Sequence, residues 1–381
     1  MKKLQIQNIL VPIDFSEMSI RAISTAKHLA RRFGATVHLA NFREVYYPAA
    51  LITPPAPVPI LPMGYEEDAQ KAASEQLKAL ADKHELTGTC RVETGGPAFD
   101  EICRIARQIP ADLIVASTHG RTGLKHAFLG STAERLIQHA PCPVLVAREP
   151  EAKDGAREKV KTAVRTINTI LVPVDFSECS RAGLRYAVQF ADKFAASIVV
   201  LHVVDFGPTL TADGYAMYDL TKYREMACAD AEWQMRQFVR SAKFGGVKFK
   251  TVIVAAPSVM GICEVARKEE ADVIITATHG RTGFEHVLIG STAEVVVRHA
   301  PCPVLVVPSL PEVRTAHLIG RKKAVSQAGQ RSPARLQRHS LPATALPQAA
   351  GKMKKQPVPE RRQTNKFRES HLSPRPSLVP G

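Results

Sequence analysis

Residues 112–146 read DLIVASTHGRTGLKHAFLGSTAERLIQHAPCPVLV, and residues 272–306 read DVIITATHGRTGFEHVLIGSTAEVVVRHAPCPVLV. THGRTG, GSTAE and HAPCPVLV match letter for letter at a constant offset of 160 residues. A repeat of that length is a domain and not a solenoid unit, so the chain holds one domain twice. In each copy a β-rich run (Leu113–Ser117, Val273–Ala277) enters a glycine-containing loop, and a second glycine followed by Ser-Thr opens a helix. The first amides of a helix lack intrahelical partners and lie at the positive end of its macrodipole, so this order suits a bound phosphate.

Working outward, residues 8–13 of the first copy form a short apolar run that ends at Asp14 and is followed by Phe15-Ser16-Glu17. This predicts a buried strand, then a helix that starts from a Ser16 N-cap. The helix keeps Ile20, Ile23, Ala26, Ala30 and Phe33 on one face and stops at Gly34; residues 35–40 are the second strand. Residues 46–64 carry six prolines, which excludes a helix or a central strand and predicts a loop or flap. A long helix with Ala69, Ala73, Leu77 and Leu80 in register follows, then a short strand over residues 90–92. Gly95-Gly96-Pro97 turns into a helix that buries Ile102, Ile105, Ala106 and Ile109, and residues 143–147 are the last strand.

The second copy repeats this plan with a strand over residues 170–174, Asp175, and a helix carrying Leu184, Ala187, Ala191 and Phe194. A strand over residues 198–204, a loop over residues 205–220 and a long helix with Ala227, Ala231, Met235, Phe238 and Ala242 follow. Strands alternating with helices predict an α/β fold with a mostly parallel, doubly wound sheet in each copy. In such sheets ligands lie beyond the C-terminal strand ends, where Asp14 and Asp175 stand. The expected domains are 1–150 and 166–309, with a charged linker at 151–165 and a disordered tail at 310–381.

Composition is that of a soluble globular protein, 45% hydrophobic and 23% charged over 381 residues. The net charge of +15 is concentrated at one end, because residues 310–381 hold 15 lysines and arginines against Glu312, Glu360 and Glu369. The folded part is therefore close to neutral, and the basic tail is what can engage nucleic acid or another anionic partner, the other reading being a solvated tail with no partner. No signal-like leader or membrane-length apolar run is present, which predicts a cytoplasmic protein. The 7 cysteines include no C-x-x-C, which argues against a disulfide framework or zinc site; Cys103, Cys142, Cys263 and Cys302 read as small core residues.

With VPIDFSE, THGRTG, GSTAE and PCPVLV in this order, and all of it doubled, the chain resembles a tandem universal stress protein of the UspA family. The resemblance implies two five-stranded domains of strand order 3-2-1-4-5, pairing through their last strands as a pseudo-dimer within one chain. It also implies a nucleotide pattern, G-x2-G-x9-G-[ST]. That pattern falls on Ser117, Gly120, Gly130 and Ser131 in the first copy, and on Ala277, Gly280, Gly290 and Ser291 in the second. Both copies depart from it at the first glycine, where a Cβ narrows the room for a phosphate or removes a positive-φ conformation. The family's adenine-side aspartate falls on Asp14 and Asp175, and its second-strand valine on Val203 in the second copy but on Asn41 in the first. The expected cofactor is therefore ATP with Mg²⁺, favoured in the second copy.

Bland readings stand beside these. Ser131–Glu134 and Ser291–Glu294 each fit S-x-x-E, a capping box that satisfies a helix start without a ligand. Thr132 and Thr292 add hydroxyls within reach of a phosphate. Arg121 and Arg281 sit in the loop, either paired with phosphate or solvated. His119 and His279 lack a second ligand at metal spacing and read as loop packing. There is no G-x-x-x-x-G-K-[ST], no G-x-S-x-G and no paired carboxylate at the loop, so the chain reads as non-enzymatic. The alternatives are a nucleotide-free scaffold with a basic tail and, second, a slow ATPase.

Overall fold

The structure is a computed structural model that describes residues 3–44, 65–118, 129–148, 166–206, 220–278 and 291–308. The proline-dense segment 46–64, most of the loop 205–220, the linker and the tail lie outside the described residues.

In the first half the apolar runs form β1 (Asn8–Ile13), β2 (Thr36–Glu44), β3 (Cys90–Gly95), β4 (Leu113–Ser117) and β5 (Val144–Ala147). Between them lie α1 (Glu17–Phe33), α2 (Tyr65–Lys83), α3 (Ala98–Gln108) and α4 (Ser131–His139). The second half repeats this with β6 (Thr169–Pro173), β7 (Ser197–Val204), β8 (Phe249–Ala255), β9 (Val273–Ala277) and β10 (Val304–Val307). Its helices are α5 (Glu178–Phe194), α6 (Leu220–Ser241), α7 (Ser258–Lys268) and α8 (Ser291–His299). β2 runs past the expected end at Ala40, because β1 and β3 pair with it on both sides and carry Asn41 and Phe42 in the ladder.

The ten strands among the described residues form one sheet of order β3-β2-β1-β4-β5-β10-β9-β6-β7-β8. Each half has the 3-2-1-4-5 order with parallel neighbours. The halves meet in one antiparallel pair, with Val144, Leu145 and Val146 opposite Val306, Leu305 and Val304. A buried parallel strand needs apolar residues on both faces, and VLV supplies them in both copies. Leu145 and Leu305 belong to the core under α1, α2, α5 and α6, whereas Val144, Val146, Val304 and Val306 belong to the core under α3, α4, α7 and α8. Both cores are therefore continuous across the seam. Burial of each leucine contributes about 2 kcal/mol by area.

Side chains reinforce the seam on both faces. Phe33 of α1 packs against Phe190 and Phe194 of α5 at ring distances of 5.7 and 5.9 Å. On the other face Arg148, just after β5, donates to the carbonyls of Ala300 (3.0 Å) and Val297 (3.5 Å) at the end of α8. A cation there is favoured by the helix dipole and satisfies orphan carbonyls. Arg298 of α8 also pairs with Glu294 (2.8 Å) and lies 3.8 Å from Glu134 of α4.

Cys103, Cys142, Cys263 and Cys302 are buried, as expected. Burial pushes the thiols of Cys103 and Cys302 up to about 11 and about 12, so they are inert at neutral pH. Among the described residues no helix is long and apolar enough to cross a membrane.

Candidate functional site

The crevice is built where β1 and β4, or β6 and β9, end side by side. Ile9 and Leu10 pair with Leu113 and Ile114, and Ile170 and Leu171 pair with Val273 and Ile274. The two strands that end at the aspartate and at the loop are therefore neighbours in both halves. Asp14 follows β1, and its Oδ1 accepts from the Ser16 amide (3.0 Å) and hydroxyl (2.6 Å). Asp175 makes the same two bonds with Ser177, at 3.0 and 2.6 Å. Each serine is in turn the N-cap of its helix, accepting from the amide of Ser19 (3.2 Å) or Ser180 (3.1 Å). The cap predicted at Ser16 is present, and it ties the carboxylate to the helix start. Burial pushes the Asp14 carboxyl up, but the hydroxyls of Ser16 and Ser19 and the local amides outweigh it, so the group is held below its ordinary value.

Between aspartate and serine stands a phenylalanine in the left-handed region, Phe15 at φ 63° and Phe176 at φ 66°. A bulky residue there costs about 1–2 kcal/mol and persists only where its surroundings impose it. In the first half Asn41 Nδ2 donates to the Ile13 carbonyl at 2.7 Å from a buried position. In the second half His202 Nδ1 lies 2.8 Å from the Val174 carbonyl, which fixes the proton on Nδ1 because a carbonyl only accepts. The His202 ring stacks on Phe176 at 4.2 Å, and Phe176 meets Phe238 edge-on at 5.6 Å.

This geometry corrects one sequence assignment. The ladders pair Ile13 with Asn41 and Pro173 with Leu201, so Asn41 is the counterpart of His202, and Phe42 that of Val203. The offset is 161 residues up to β3 and β8, and 160 only after Gly95-Gly96-Pro97 shortens to Ala256-Pro257. The side chain of Val203 faces α7, its Cγ1 3.0 Å from where a Cβ on Gly261 would stand. Phe42 packs against the same core.

Ser117 and Ala277 are the last residues of β4 and β9, paired with Ala147 and Val307. The Cβ of Ala277 lies 3.5 Å from the site of a Cβ on Gly183 of α5, so Ala277 is packed against α5. The Thr118 carbonyl accepts from the Gly130 amide at 2.8 Å, which sets the start of α4 beside the end of β4. Gly130 is the N-cap of α4 at φ −63° and ψ 142°, with no side-chain capping bond. Ser131 is thus the first helical residue, one position too late for a capping box, and that reading is overturned for α4. Ser131 is exposed and Thr132 half-buried; Ser291 opens α8 in the same frame, and Thr292 is exposed. Gly120, Arg121, Gly280, Arg281, Gly290, His119 and His279 lie outside the described residues. The start of α7 is occupied differently, since Asp205 Oδ2 accepts from the Ser258 amide and hydroxyl, both at 2.8 Å. Among the described residues no group of three metal-ligating side chains occurs.

The left-handed phenylalanines and their Asn41 and His202 supports are what sequence reasoning missed. Their available signal was the D-F-S triplet repeated at 14–16 and 175–177.

The family model described as the universal stress protein family matches residues 5–148 and again 166–308. A universal stress protein of Mycolicibacterium smegmatis is 27% identical over 316 residues, covering 78% of this chain and 96% of the relative. One of Methanocaldococcus jannaschii is 33% identical over 138 residues, 36% of this chain and 80% of that protein. Among solved structures, a universal stress protein from Archaeoglobus fulgidus superposes with a TM-score of 0.53 at 21% identity, over 80% of this chain and 97% of that one.

Proposed function

This chain belongs to the universal stress protein family, and we propose that it is a nucleotide-responsive regulatory protein without strong catalysis, with ATP bound in the second crevice. The observation that supports this reading is the start of α4. Gly130 caps it with no side chain, so the first amides are left to a ligand at the positive end of the helix. The GSTAE of the second copy has the same frame, Ser291 being the first residue of α8, and only the second copy has the valine of the family pattern, Val203, where the first carries Phe42. The phosphates would lie against the amides and hydroxyls of Ser291 and Thr292, with Asp175 on the adenine side. Mg²⁺ would arrive on the phosphate oxygens, supplying charge neutralisation. The chain's own part is binding and orientation, with bound nucleotide biasing partner contacts.

Freshly purified protein, denatured and analysed by chromatography, is expected to release an adenine nucleotide, and Gly290→Val to release much less. Absence of nucleotide, together with no heat on titration with ATP, would overturn the proposal. A second reading rests on the charge of residues 310–381, which carry most of the net +15. It makes the chain an interaction scaffold whose tail binds nucleic acid, and deletion of residues 310–381 should abolish retention on DNA at low salt. Slow ATP hydrolysis would require phosphate release that Asp175→Ala abolishes.

A further inference from the structure

We propose that His202 is the positioning residue of the second crevice, and Asn41 its counterpart in the first, each acting through the strained turn that presents the aspartate. The inference rests on the proposed nucleotide site for its functional half and on the turn's geometry for its structural half.

Three observations converge on His202. Its ring Nδ1–H bonds the carbonyl of Val174, the residue immediately before Asp175. Its ring face covers Phe176, the residue immediately after. Phe176 is held at φ 66°, a conformation its own side chain disfavours. One side chain thus grips the peptide on each side of the aspartate. The carboxylate in turn binds Ser177, which caps α5. With the grip released, Phe176 can return to a negative φ, and that rotation turns Asp175 away from its bond to Ser177.

The first half supplies an independent copy of the device. Asn41 donates to the homologous carbonyl of Ile13 at 2.7 Å, and Phe15 again stands at φ 63° before a serine cap. Histidine and asparagine differ in shape and in ring character. What they share is an N–H at the height of the carbonyl, and the turn has the same geometry over both. The requirement is therefore a hydrogen-bond donor at this position of the second strand, to which the second half adds an aromatic face.

The test uses the full chain and the variants His202→Leu and His202→Asn, with two readouts. Hydrogen exchange at the Ser177 amide, which is protected by Asp175, reports the turn without ligand. Exchange is expected to quicken about tenfold in His202→Leu and to return to within about threefold of wild type in His202→Asn. ATP affinity by calorimetry is expected to follow the same pattern, weaker by about tenfold in the leucine variant and restored by asparagine. If the leucine variant does not fold, His202→Ala removes the donor without bulk and takes its place. Unchanged exchange at Ser177 in the donor-less variant would overturn the proposal. Failure of asparagine to restore exchange in a folded protein would overturn it equally. Wild type that binds no ATP would sink the nucleotide reading, while exchange would still decide whether His202 sets the turn.

Discussion

The two halves build the same turn from different material. Against Phe176 lie His202, stacked, and Phe238, edge-on, an aromatic cluster that Arg181 extends by lying over Phe238 at 4.5 Å. At the corresponding positions under Phe15 stand Asn41 and Leu77, a buried amide and a buried aliphatic residue. Backbone dihedrals, aspartate bonds and serine caps agree between the halves to within a few degrees and tenths of an ångström. The difference teaches that one backbone turn can be built over two different side chains, provided that each brings an N–H to the same carbonyl.

The largest expected break in the comparison is at Gly88, ahead of β3. A Cβ there would stand 1.9 Å from the Val37 carbonyl oxygen, whereas the counterpart Phe249 is accommodated as the first residue of β8. Gly88→Ala should cost about 4 kcal/mol or more by denaturant unfolding, because the clash is with backbone and cannot be relieved by a rotamer. At the seam, Leu145 and Leu305 face each other, and Leu305→Ala should cost about 3 kcal/mol from lost burial plus cavity. Next comes Arg148→Ala, which frees the carbonyls at the end of α8 and should cost about 1–2 kcal/mol.

A smaller and opposite-signed pair tests the helix ends. α1 ends at Gly34 (φ 72°) and α5 at Ala195 (φ 53°), both left-handed. Gly34→Ala should destabilise by about 1 kcal/mol and Ala195→Gly should stabilise by slightly less, readable as opposite shifts in Tm. Finally, His28 on α1 has its pKa lowered by burial and by Arg32 and Arg31, and its Nε2 finds no hydrogen-bond partner among the described residues. The unfolded chain takes up that proton near the ordinary value of 6.5, before the folded one does. Stability should therefore fall as the pH drops below about 6.5 and level off below the depressed folded value; His28→Gln should flatten that slope.

Much of this was legible in the residues. The strand that ends at Asp14, the Ser16 cap, the stop at Gly34 and the buried face of α3 follow from local pattern, because period and capping chemistry act over a few residues. The 3-2-1-4-5 order came from resemblance, since the sequence pattern does not say which strands are neighbours. What escaped were contacts between distant residues. The offset of 161 could be read from D-F-S at 14–16 and 175–177, but that Asn41 and His202 stand beside the strand ends at Ile13 and Val174 appears only in the ladder, and the reach of Arg148 to α8 spans about half the described chain. The frame of α4 was misread because S-x-x-E fits a capping box by letters, while the turn at Gly130 sets the helix start one residue earlier. Positive φ at Phe15 and Phe176 was hidden by residue type, for phenylalanine does not advertise that conformation as glycine does.

Arg148 has a proline, Pro308, at its place in the second copy, and Arg298, which lies near Glu134, has Gln138. In a pairing of two identical subunits every substitution at the contact is made twice and must suit both sides of the axis. Here each gene position is read once per contact, so an arginine can clamp one helix while the opposite helix is left to a different solution. Fusion has thus removed symmetry as a constraint on mutation. The two crevices can therefore come to differ in residues and chemistry, without a change in stoichiometry.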